Sequence, residues 1–151
     1  LTGNAVPASL AIVAFLVMSK LMDHSGQTEV LALGIAEVAS APVFAFASNW
    51  IGVLGAFMTS SNTASNILFA PLQQETVQAV EELSEATIIG SQSAGGALGN
   101  AIAPANVVLG TSTAGIIGRE GDVLRKTLPW AIAVAVLIGG LTILLNNMNF
   151  T

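Results

Sequence analysis

The chain has no cysteine and no tyrosine, one histidine, and only four lysines and arginines in 151 residues. Without cysteine there are no disulfides, no thiolate metal sites and no thiol nucleophile. One histidine, His24, cannot assemble a histidine cluster. A net charge of −5 excludes a nucleic-acid-binding surface, which needs a basic patch. Charge of either sign is scarce, at 9% of residues against about 25% in ordinary soluble domains. Such a chain cannot cover a globule with ionised side chains. What it does contain is apolar: 53% hydrophobic residues and a mean hydropathy of +0.76. Small residues are abundant, as in membrane bundles whose helices approach closely. The composition predicts an all-α membrane protein. The chain starts at Leu1 with no signal-peptide pattern, and we read it as a piece of a longer polytopic protein.

The most unusual stretch is Thr59-Ser60-Ser61-Asn62-Thr63-Ala64-Ser65-Asn66, a charge-free run of hydroxyls and amides between two apolar arms. Polar side chains deep in a bilayer persist only where they face protein or a cavity. The arms Trp50–Met58 and Ala64–Leu72 each reach roughly 14 Å as helix, about half of a 30 Å hydrocarbon core. They predict a re-entrant hairpin over 50–72, entered after a polar break at Ser48-Asn49-Trp50. Before it, Ala5–Met22 is long enough to span, and Val30–Ala47 is a second candidate span, with Thr28 as its cap. Glu37 and Pro42 weaken that second span, and a short helix over Thr28–Ala39 is the alternative. Glu37 is expected to face the protein interior or lie near a membrane edge. His24 is read as a solvated loop residue, with proton carriage as the alternative role.

Gln73–Glu85 is acidic and predicts a loop or surface helix. Ala86–Gly118 is too long for one span and is interrupted by Gln92–Asn100 and Pro104. It predicts a broken helix over 86–118, with halves near Ala86–Ala94 and Ala105–Ile117. The run Gly95-Gly96-Ala97-Leu98-Gly99 lacks the preceding strand and following acid of a dinucleotide loop. It is either the unwound segment or a close-packing glycine face. Gly118–Lys126 is the one basic loop, Thr127 is placed as a cap, and Leu128–Leu145 is the cleanest span. Basic residues prefer the cytoplasmic side. That places Gly118–Lys126 inside and Gln73–Glu85 outside. With a re-entrant hairpin, Lys20 also falls inside.

Gly55–Phe69, Gly95–Pro104, Ala114–Gly121 and the Met22-Asp23-His24-Ser25-Gly26 turn resemble signatures of the L-lactate permease family. The likeness covers essentially the whole chain, as the C-terminal part of a longer permease. It implies a secondary transporter, not an enzyme, moving lactate- or glycolate-type 2-hydroxy monocarboxylates across a bacterial or archaeal plasma membrane. The coupling ion it implies is the proton, with Na⁺ as the alternative, and no cofactor or metal. The family is related to ion-coupled carboxylate transporters in which a Ser-Asn-Thr hairpin tip and an unwound helix hold substrate and ions. Ser61-Asn62-Thr63 matches that tip. The expected substrate site is Ser61, Asn62, Thr63, Asn66, Gln92, Ser93, Gly95, Gly96 and Asn100. In the family pattern an Asp commonly stands at Asn62 and a Lys at Asn100, so this chain lacks both charges. A channel, an energy-coupling subunit or a structural membrane subunit is the competing class. A channel would call for a polar stripe along a whole helix, whereas the polar residues here gather at two breaks.

Overall fold

A computed structural model of the chain describes residues 5–148, with side chains from residue 13. Seven helices follow in order: α1 Ala5–His24, α2 Gln27–Val38, α3 Ala41–Thr59, α4 Asn62–Ala79, α5 Glu85–Ile102, α6 Pro104–Thr113 and α7 Glu120–Asn147, with no strand among the described residues. By length and composition α3 and α7 suffice to cross a membrane.

α1 ends on His24, which is exposed, its Nδ1 lying 3.0 Å from the Lys20 carbonyl. The chain turns at Gly26, at φ 74°, and α2 begins. Thr28 does not cap α2: it is buried inside the first turn, and the cap position is Gly26. The expected span Val30–Ala47 is divided at Ala39-Ser40. Pro42 sits in the first turn of α3. Its missing N–H costs nothing in that first turn, where the donor has no helical partner, so it is accommodated at a helix start. The shorter alternative, Thr28–Ala39, is close to the α2 that forms. Glu37 is exposed one residue from the end of α2.

Ser48-Asn49-Trp50 is not a break. α3 runs straight through it, with Ser48 and Asn49 fully buried and Trp50 half-buried at mid-helix. The arms of the hairpin are therefore full length: α3 has 19 residues and α4 has 18, roughly 28 and 27 Å. The turn between them falls in the polar run, as expected. Ser60 adopts φ 55°, ψ 28°, and the Ser61 hydroxyl caps α4 by accepting from the Ala64 N–H at 3.2 Å. The second expected break is displaced too. α5 continues unbroken through Gln92–Asn100 and stops at Ala103, before Pro104. Its glycines are held in helix by the neighbour they pack against, and the proline sets the boundary. α7 begins at Glu120, so most of the expected basic loop is helical. Thr127 lies inside it, its hydroxyl donating to the Val123 carbonyl at 3.1 Å.

α3 is central. A Cβ on Gly52 would strike the Gln92 carbonyl and Gly96 N; one on Gly95 would strike Asn49, and one on Gly99 would strike Val53. These pairs advance together along both helices, so α3 and α5 run parallel with their backbones in contact, the arrangement small residues permit. α4 and α7 run the other way: Gln73 reaches Ser48, Ser65 reaches Gly52, Asn49 reaches Ala135, and Phe46 covers Gly139. One end of the bundle holds an apolar cluster of Ala41, Phe44, Ala45, Val77, Leu83 and Ile88. Asn146 closes it, accepting from the Ser84 N–H at 2.8 Å and donating to the Glu82 carbonyl at 2.9 Å. The other end holds the Ser60-Ser61 turn and the Ala103 break.

Candidate functional site

Between these ends lies a buried network with no ionised group. The Gln73 amide donates to the Ser48 carbonyl at 3.0 Å and, over a short contact, to the Gln92 Oε1. The Gln92 amide donates to the Ser65 hydroxyl at 3.2 Å and to Asn66 Oδ1 at 3.4 Å. Asn66 donates to the Ser93 hydroxyl at 3.0 Å. On the far side of Ser48 its hydroxyl lies 2.9 Å from that of Ser91, which lies 2.8 Å from that of Thr142. Asn49 donates to the Ala135 carbonyl at 2.6 Å. Four helices thus meet through amides and hydroxyls. Ala135 stands near the middle of Leu128–Leu145, so the network is level with the centre of the most apolar stretch of α7. Burying polar groups at that depth is costly unless they pair; most here do, while Asn49 Oδ1 and Gln73 Oε1 have no hydrogen-bond partner among the described residues.

The expected site residues divide. Asn66, Gln92 and Ser93 come together in this network. Asn62 sits at the start of α4 with its Oδ1 over Gly96, buried and without a hydrogen-bond partner among the described residues. Asn100 lies one turn beyond Gly96 on α5, and its Oδ1 accepts from the Asn106 amide at 2.8 Å. Ser61 is occupied as the α4 cap, and Thr63 is exposed. Gly95 and Gly96 are buried within an intact helix. Gly95 is spent on the contact with α3, and Gly96 makes room for both α3 and Asn62.

Several participants escaped the sequence reading. Gln73 was placed in the acidic loop, yet it is fully buried; it falls seven residues after Asn66, on the same face of α4. Ser48 and Asn49 carry the signal of a helix break and Ser65 lies in the polar run without being assigned to the site, while Ser91 and Thr142 have no local signal beyond being uncharged. Asn106 joins the two discontinuities: its amide lies 2.8 Å from both oxygens of Asn100 and 3.4 Å from the Ser60 carbonyl.

At the same end, the Glu120 carboxylate accepts from the Thr111 hydroxyl at 2.8 Å and the Gly118 N–H at 3.0 Å, fastening α6 to the start of α7. Its own backbone N–H, that of Gly118 and the Thr111 hydroxyl hold its pKa below the ordinary 4.5. A lowered pKa stabilises the corner above the ordinary value and ceases to do so as pH falls through the lowered one. We expect hydrogen exchange at the Gly118 amide, corrected for intrinsic rate, to be constant near neutrality and to accelerate only below about pH 4.5. Glu120→Gln should exchange faster near neutrality, the difference closing as pH falls through the lowered pKa. Equal protection in the variant would show that the carboxylate does not hold the corner.

Helices joined through backbone-to-backbone glycine contacts, an apolar exterior and an uncharged polar interior are those of a helical bundle suited to a membrane. The chain belongs to the L-lactate permease family, whose model matches residues 2–148. It is 33% identical over 124 residues to the L-lactate permease of Salmonella typhi, covering 82% of this chain and 22% of that protein. It is 33% identical over 135 residues to glycolate permease GlcA of Escherichia coli K12, covering 89% and 24%. It is 30% identical over 137 residues to an L-lactate permease of Halalkalibacterium halodurans, covering 91% and 26%. The chain thus spans about a quarter of the length of the curated relatives it matches. No solved structure matches it.

Proposed function

We propose that this chain is the C-terminal transmembrane part of a secondary transporter for lactate- or glycolate-type 2-hydroxy monocarboxylates in the plasma membrane. The observation that carries the reading is the charge-free network at mid-depth, flanked by the Asn62 carbonyl and by two helix discontinuities laced through Asn106. A small carboxylate is recognised by N–H and O–H donors, and Ser61, Asn62, Thr63, Asn66, Gln92, Ser93 and Asn100 offer these. The Asn62 Oδ1, buried and without a partner among the described residues, is an acceptor for the substrate hydroxyl or for a cation. Gly95 and Gly96 contribute by letting α3, α4 and α5 approach. In this reading the α3–α4 pair enters and leaves at the acidic end, crossing and returning on full-length arms rather than turning at mid-depth. The end bearing Arg119, Arg125 and Lys126 faces the cytoplasm.

The coupling ion is the proton in this reading, and Na⁺ is the alternative. Asn62 cannot titrate, and the exposed His24 and Glu37 belong to α1 and α2, outside the network. A proton carrier therefore belongs to the remaining three-quarters of the permease. The network is enclosed rather than extended along one helix, which favours a transporter over a channel.

Counterflow of labelled lactate into proteoliposomes containing the complete permease tests the function: a transporter accumulates label transiently, and a channel does not. Asn62→Ala should lower the kcat/KM of uptake by about tenfold or more, the effect of losing one hydrogen bond to a charged or strongly polar ligand. Unchanged uptake in that variant would remove Asn62 from the site. Proton and sodium gradients imposed separately distinguish the coupling ions.

A further inference from the structure

α7 has two contrasting faces. Ala131, Ala135, Gly139, Thr142 and Asn146 are buried against its neighbours. Lys126, Trp130, Val134, Leu137 and Leu141 recur at spacings of three and four residues, which stacks them along one exposed stripe. Trp130 is 75% exposed and Leu137 71%. At the foot of the stripe an open hollow of about 180 Å³ is lined by Ile116, Arg119, Asp122, Val123 and Lys126.

The charge at this foot is positive. Three of the chain's four basic residues, Arg119, Arg125 and Lys126, stand here against Glu120 and Asp122. Glu120 is engaged with Thr111 and Gly118. Asp122 takes the Arg119 Nε–H at 2.9 Å. A guanidinium has five N–H donors, so its four terminal ones remain for a second anion, beside the Lys126 ammonium. Above the cations come a tryptophan and then aliphatic side chains. That order repeats the order of a phospholipid: charged headgroup, ester level, acyl chain. Ala131, Ala135 and Gly139 point inward; Ala133 and Gly140 are exposed beside the stripe, and the stripe's own side chains are bulky, as on a face turned to lipid.

We propose that this stripe binds one anionic phospholipid, its phosphate in the hollow between Arg119 and Lys126 and an acyl chain along Trp130, Val134, Leu137 and Leu141. The proposal rests on the chain lying in a membrane and is independent of what it transports. The test uses the complete permease in detergent, equilibrated with phosphatidylglycerol or phosphatidylcholine and examined by native mass spectrometry. Phosphatidylglycerol should be retained preferentially, and Arg119→Gln and Lys126→Gln should each reduce its retention about fivefold. Both side chains are exposed, so normal elution on size exclusion controls for folding, and either variant alone carries the test. A nitroxide at Leu137→Cys in vesicles should be strongly relaxed by dissolved oxygen. Equal retention of the two lipids, or retention unchanged in both variants, would overturn the site. Displacement of the lipid by millimolar inorganic phosphate would make it a phosphate site instead. A nitroxide shielded from oxygen would show that another helix of the permease covers the face.

Discussion

Alanine at Gly52, Gly95 or Gly99 is expected to destabilise the bundle by about 3 kcal/mol or more at each site, the upper range for overpacking. At all three the new methyl would meet backbone: the Gln92 carbonyl for Gly52, Asn49 for Gly95 and Val53 for Gly99. Backbone cannot rotate away as a side-chain tip can, so α3 and α5 would have to separate. That separation would also pull Gln92 and Ser91 from Ser48, Ser65 and Gln73. Gly90 and Gly140 are also in helices, but a Cβ there meets open space. Alanine at those two should be neutral or stabilising by up to about 1 kcal/mol, because only helix propensity changes. Thermal unfolding of the detergent-solubilised protein, followed by size exclusion, reads the contrast. If Gly95→Ala were as stable as Gly90→Ala, the α3–α5 contact described here would be wrong.

The second large effect is expected at Gln92. Gln92→Leu removes the acceptor of the Gln73 amide and the donor to Ser65 and Asn66, all within an enclosed interior. Each buried polar group left unpaired costs about 1–3 kcal/mol, so a loss of about 3 kcal/mol is expected. Gln73→Leu should cost less, since it strands chiefly the Gln92 Oε1 and the Ser48 carbonyl. The double variant should be less destabilised than the sum of the two, because an apolar pair no longer strands the amide contact between them. Additive losses would show that the two glutamines act separately. The same variants bear on transport: a network that only supports the bundle permits uptake in proportion to folded protein, whereas one that positions Asn66 and Ser93 lowers uptake per folded molecule.

The hairpin was legible because its turn is local chemistry. Ser60 and Ser61 lie where hydroxyls can take over from helical hydrogen bonding, and the apolar runs on either side supply the arms. The length of those arms was not legible. Ser48-Asn49 has the composition of a break, but helix propensity is a weak prior, and two buried amide and hydroxyl side chains with partners on α5 and α7 fit inside α3 without interrupting it. The same reasoning displaced the second break. A glycine run is permissive rather than directive, so it unwinds or packs according to its neighbour, whereas Pro104 imposes its boundary from within the chain. That Asn66, Gln92 and Ser93 would meet was legible because they lie in the two polar stretches. Gln73 and Thr142 were not, since each is a single uncharged residue whose significance depends on helices distant in sequence.

By itself the sequence determined what depends on composition and on short range. It specified an all-helical protein suited to a bilayer, because there is too little charge for a soluble surface and every backbone group must be satisfied within a helix. It also specified the turn at Ser60-Ser61, the long apolar α7 and the family. The tertiary structure decided which polar residues face one another, that Gly95 serves packing, and that α3 lies at the centre with α5 parallel to it and α4 and α7 opposed. Those outcomes turn on the rotation of each helix about its axis. Rotation is set by where two backbones can touch and which amides can pair across the contact, and neither is encoded within one helix alone.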